Sequence, residues 1–129
     1  MIEWRAVAAV AIGAAIGGVL RYVVGQLFLQ RFGPGFPYGT LFINVSGSLL
    51  IGIVAELTAT RAVGVTPLLR LLLATGVLGG YTTFSTFSLE AITLFESGWL
   101  PAFVYSGASI VLGFTGAAAG IAIARLAQR

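Results

Sequence analysis

Long charge-free stretches dominate the chain. Ala6–Leu20 carries no charge before Arg21 interrupts it, and Tyr22–Gln30 continues as far as Arg31. Phe32–Ala55, Leu71–Leu89 and Ser97–Ala124 are again free of charge. A helix crossing the hydrocarbon of a bilayer needs about 20 mostly apolar residues. The pattern therefore predicts four transmembrane spans, at 4–29, 38–60, 67–95 and 100–125, in a single domain covering 1–129. The connectors carry helix breakers: Gly33-Pro34-Gly35-Phe36-Pro37, then Val63 to Pro67, then Ser97 to Pro101. The apolar run behind Arg5 has the look of a signal peptide. Because the later stretches are equally apolar, it counts as a true span.

Composition agrees with the pattern. Of 129 residues 58% are hydrophobic and only 9% charged, with a mean hydropathy of +1.03, whereas soluble domains carry about 25% charged residues. Such a chain belongs in a lipid bilayer. All seven basic residues are Arg and all four acidic ones are Glu; Lys, Asp, His and Cys are absent. That removes ordinary zinc sites, thiol nucleophiles, imidazole bases and Schiff-base lysines, and makes an enzyme the least supported class. The net charge of +3 does not point to nucleic acid, since the Arg residues are scattered rather than clustered. After four crossings the termini share a side with Arg5, Arg61, Arg70, Arg125 and Arg129, against Arg31 opposite. The positive-inside rule then favours cytoplasmic termini.

Polar positions inside the spans carry the candidate chemistry. Thr40, Asn44 and Ser48 recur every four residues and share one face of the second span. Thr and Ser in membrane helices bond back to their own backbone, but the amide of Asn44 cannot be satisfied that way. It is either glue between helices or part of a water-filled path. The third span runs Thr75-Gly76-Val77-Leu78-Gly79-Gly80-Tyr81-Thr82-Thr83-Phe84-Ser85-Thr86-Phe87-Ser88. The Gly79-Gly80 pair and the hydroxyl-rich run behind it predict a broken helix, a feature found at such depth where backbone lines a cavity or binds ions.

Phe84 and Phe87 share a face beyond the break and serve either packing or, through their electropositive edges, an anion. Thr83, Thr86 and Glu90 form a neighbouring polar face. Glu90 is expected at the surface or an aqueous vestibule, because a buried unpaired carboxylate is costly. The fourth span offers Tyr105 and Ser109, then Gly113, Gly116 and Gly120. Gly116–Gly120 and Gly13–Gly17 are GxxxG contact surfaces. Arg21 snorkels, pairs with a Glu, or presents charge to an entering anion.

Three segments together resemble the Fluc (CrcB-type) fluoride channels. They are Gly17-Gly18-Val19-Leu20-Arg21-Tyr22, Gly39-Thr40-Leu41-Phe42-Ile43-Asn44-Val45-Ser46-Gly47, and Gly76 to Glu90 in the form GxxGGxTTFSTFSxE. The resemblance implies an all-α membrane protein with a broken third helix, assembled as an antiparallel, dual-topology homodimer with two pores in a cell inner membrane. It implies passive, electrogenic fluoride export that lowers fluoride toxicity. Asn44, Phe84 and Phe87 would line the fluoride pathway, with Tyr105, Ser109, Thr40 and Thr83 continuing it and Arg21 and Glu90 near the vestibules. A structural sodium ion (Na+) would be held at the dimer interface by backbone carbonyls of Gly79 and Thr82.

Two features depart from the family pattern. Gly113 stands where a further hydroxyl would follow Ser109, and the Arg asymmetry differs from the balanced bias of a protein inserting both ways. The competing class is a small multidrug-type proton-coupled exporter, which needs an intramembrane carboxylate; Glu3, the first span's acid, sits at its extreme end. A non-transporting scaffold subunit is the third class, and it would need neither Asn44 nor a broken span.

Overall fold

The computed structural model describes residues 1–60, 64 and 66–129. The described residues form helices without strands, four of them long and apolar enough to cross a membrane: Trp4–Phe32, Tyr38–Ala59, Pro67–Ser97 and Trp99–Leu126. The first, second and fourth are continuous and are called α1 (Trp4–Phe32), α2 (Tyr38–Ala59) and α6 (Trp99–Leu126). The third is a chain of pieces: α3 (Pro67–Arg70), a π-helical stretch (Leu71–Leu78), α4 (Gly79–Tyr81) and α5 (Phe84–Ser97). Of the expected second connector, Val63 and Val65 lie outside the described residues, as does Arg61.

The ends follow local chemistry. Thr66 accepts a hydrogen bond from the Leu69 N–H (3.2 Å) and Pro67 opens α3, a side-chain N-cap followed by the residue whose missing N–H costs nothing there. Gly33 (φ 76°) and Gly98 (φ 151°) hold backbone conformations that side chains disfavour. Gly98 alone joins α5 to α6.

Two parallel helix pairs make up the packing, each closed by small residues. In one, Gly13 and Gly17 of α1 meet the third span at Gly76 and Tyr81; a Cβ added at Gly76 would lie 2.9 Å from the Gly13 Cα, and one at Gly80 only 2.6 Å from the Ala14 carbonyl oxygen. In the other, Gly116 and Gly120 of α6 meet α2: a Cβ at Gly116 would stand 3.1 Å from the Val45 carbonyl oxygen, and one at Gly120 3.0 Å from the Ile53 N–H. Both GxxxG segments are thus backbone-to-backbone contacts, which hold membrane helices together where lipid removes the hydrophobic drive. Little side-chain surface is buried; large apolar residues such as Ile12, Val19, Phe84, Phe103 and Phe114 are exposed, as expected of a chain solvated by lipid.

The third span breaks later than the glycine pair. Gly79 keeps helical geometry (φ −65°, ψ −34°), and the extended residues are Thr82 (φ −77°, ψ 158°) and Thr83 (φ −152°, ψ 119°). Gly80 serves close packing on α1 instead, the role that isolated glycines usually have. Upstream, the Gly79 N–H reaches the Ala74 carbonyl five residues back, the spacing of a π turn, a rare geometry often found at functional sites.

Candidate functional site

Breaking a helix in hydrocarbon strands backbone groups that water cannot satisfy. Side chains from two other spans take them up. The Asn44 Nδ2 amide donates to the Thr83 carbonyl (3.0 Å), and the Thr83 N–H donates to Asn44 Oδ1 (2.9 Å). From α1, the Arg21 guanidinium donates to the Thr82 carbonyl (3.3 Å). Asn44 therefore closes a two-bond clamp on the break, and its second amide N–H has no partner among the described residues. Thr83 is buried and caps α5: its hydroxyl accepts from the Thr86 N–H (3.2 Å) and donates to Thr86 Oγ1 (3.1 Å). With the Thr83 N–H turned to Asn44, the Gly79 carbonyl loses the donor four residues on that a continuous helix would supply.

A cavity of about 370 Å³ opens beside the clamp, lined by Asn44, Ser48, Gly79, Thr82, Thr83, Phe84, Phe87 and Ser109 among others. No charged side chain is among its lining residues within the described chain. Its polar equipment is an amide, hydroxyls and the start of α5, and helix N-termini favour anions. The Ser109 hydroxyl is buried without a hydrogen-bond partner among the described residues, an orphan of the kind that marks a place for water or a ligand. The Phe84 and Phe87 rings sit 5.6 Å apart, tilted at 47°. Phe84 is 78% exposed, so this wall of the cavity is open.

A second cavity, of about 390 Å³, lies toward the Gly33–Pro37 turn and is bordered by Thr40, Glu90, Phe36 and Thr93. Here Thr40 Oγ1 donates to one Glu90 carboxylate oxygen (2.8 Å) and the Tyr105 hydroxyl to the other (2.6 Å). Glu90 is thus paired as well as cavity-lining, and both hydroxyls are committed to it. Tyr105 is fully buried; its ring meets Phe87 at 5.3 Å and Phe36 edge-on at 5.6 Å. Phe87 lines the first cavity and Phe36 the second.

The residues singled out from the sequence divide between these places. Asn44, Phe84, Phe87, Thr83, Ser109, Gly79 and Thr82 gather at the first cavity, and Thr40 and Glu90 at the second, with Tyr105 bonded to that carboxylate. Arg21 sits at the break rather than beside Glu90. Sequence reasoning missed Tyr81, buried, whose hydroxyl pairs with Ser46 Oγ (3.1 Å) across to α2. It also missed Phe36, which sits on the turn and packs on Tyr105. Neither has a periodic signal in the chain.

The comparisons with known proteins agree with one another. The family described as "CrcB-like protein, Camphor Resistance (CrcB)" matches residues 8–121. The "Fluoride-specific ion channel FluC" of Rhizobium meliloti (strain 1021) is 53% identical over 114 residues, covering 88% of this chain and 90% of that protein. The protein of the same name from Rhizobium etli is 55% identical over 117 residues, covering 90% and 93%. That from Nitrobacter winogradskyi is 49% identical over 126 residues, covering 97% and 99%.

Proposed function

The chain belongs to the CrcB-like family, and from that premise we propose that it is a fluoride-selective channel giving passive, electrogenic export. The observation that carries the reading is the cavity at the break, which offers an amide, hydroxyls and two phenyl rings but, among the described residues, no fixed cation. Fluoride is small and firmly hydrated, so a selective site must replace water with several donors in a narrow space. Neutral donors do so without trapping the ion, and conduction requires binding loose enough to leave. An inside-negative potential drives an anion outward at about 2.3 kcal/mol per charge per 100 mV. Hydrogen fluoride that enters neutral and dissociates inside is therefore expelled without coupling to protons, which lowers fluoride toxicity. A proton-coupled exporter fits less well: Glu90 already accepts from two hydroxyls, and Glu56 is paired with Arg125 (3.0 Å).

Assembly as an antiparallel homodimer in a cell inner membrane is part of the proposal. Exposed Phe84 on the open side of the cavity supports a second copy as its missing wall. Sodium fits the same face: the Gly79 carbonyl lacks its helical donor and the Thr82 carbonyl keeps a lone pair beside Arg21. Two such oxygens from each copy would hold one cation and fix the two breaks against each other. Cysteine labelling of both termini from the cytoplasm alone would refute the antiparallel arrangement. Undiminished dimer recovery and efflux after thorough removal of sodium would refute the ion.

The activity is tested in liposomes loaded with potassium fluoride. Valinomycin is expected to release fluoride rapidly with no pH gradient, while chloride-loaded vesicles retain their anion. Release that needs a proton gradient would contradict the channel.

A further inference from the structure

The facing stripes of α2 and α6 run in register, and one rung is filled from the unexpected side. Thr40 and Tyr105 meet on Glu90, and Asn44 and Ser109 share the cavity one turn on. At the next rung stand Ser48 and Gly113, where α6 has no side chain. A Cβ at Gly113 would have Ser48 Oγ as its sole neighbour, at 3.7 Å. Ser48 lines the same cavity as the partnerless Ser109 hydroxyl. Unlike Ser46, Thr58 and Ser88, which bond back to their own helices, Ser48 makes no hydrogen bond among the described residues.

We infer that Ser48 is a further fluoride-binding residue, its hydroxyl on α2 supplying the donor that α6 lacks at Gly113. The inference rests on the fluoride-channel reading and deepens it. Ile51 and Ala74 also line this cavity and offer an anion no side-chain donor. The Ser48 hydroxyl, free of other duties, is the group that prevents an abrupt loss of ligands there. A merely structural serine would have satisfied itself on its own backbone, as such residues commonly do.

The test moves the hydroxyl between helices. Fluoride efflux from liposomes is measured for the wild type, Ser48→Ala, Ser48→Ala/Gly113→Ser and Ser48→Ala/Gly113→Ala, with thermal stability read on each. The Gly113 site has room for a side chain, since its nearest neighbour stands at ordinary contact distance. Losing one hydrogen bond to a charged ligand predicts that Ser48→Ala slows efflux about tenfold with unchanged stability. Gly113→Ser should restore the rate to within about twofold in the Ser48→Ala background, and Gly113→Ala should not. Efflux undiminished in Ser48→Ala, or equal in the two double variants, would overturn the role of Ser48. Wild-type vesicles that release no fluoride would instead overturn the underlying reading of function.

Discussion

The α2–α6 pair is built in two different ways along its length. At one end Gly52, Gly116 and Gly120 let the backbones touch, with each missing side chain's place occupied by main-chain atoms of the facing helix. At the other end Thr40, Asn44, Ser48, Tyr105 and Ser109 replace glycine, and the helices enclose polar side chains and cavities. The same two rods therefore act as a dry clasp and as a channel wall. Close approach at the clasp sets the width at the wall, because a rigid helix cannot be narrow at one end and free at the other. Function here depends on residues that carry no chemistry as much as on those that do.

The largest effect is expected at the clasp. Gly120→Leu places a side chain against the Leu49 carbonyl and Ile53 N–H, main-chain atoms that cannot rotate away. Loss of the assembled species on gel filtration is expected, and a normal elution profile would show the clasp to be dispensable. At the wall, Asn44→Leu removes both bonds to Thr83. Interhelical hydrogen bonds in membranes contribute about 1–2 kcal/mol, so the protein should still fold, while efflux falls at least about a hundredfold, the equivalent of about 3 kcal/mol. Asn44→Asp keeps the acceptor for the Thr83 N–H but turns the donor to the Thr83 carbonyl into a second, charged acceptor, so neither flux nor stability should recover.

How far the sequence foretold this differs between the two ends. The spans were legible because charge-free stretches of the right length have few alternatives, and the glycine clasps because small residues four apart have one common use. The break was read over Gly79 to Thr83, and it opens only in the second half of that stretch, at Thr82 and Thr83. Local propensity reads glycine as weakness, yet Gly80 is required by Ala14 of α1, and the residues that open are held by Asn44 and Arg21, 39 and 61 positions away. No window along the chain contains that information. The commitment of Thr40 and Tyr105 to Glu90 was hidden for the same reason, since it joins three spans.

Smaller effects sharpen the contrast. Tyr105→Phe deletes the shorter of the two bonds to Glu90 while keeping the ring against Phe87 and Phe36. Efflux should drop about tenfold, in line with one charge-assisted hydrogen bond, and a drop beyond that of Asn44→Leu would make the carboxylate's placement more central than the break. Arg125→Ala, beyond the clasp, removes an ion pair whose guanidinium is largely exposed. Such pairs are weak, and neither efflux nor elution should change measurably.

Fluoride, and neither chloride nor protons, is expected to pass beside the broken third span. Planar-bilayer recording with fluoride on one side and chloride on the other tests it most directly. The current should reverse at the fluoride equilibrium potential and stay there when a proton gradient is imposed; reversal that follows chloride or the proton gradient would refute the fluoride channel.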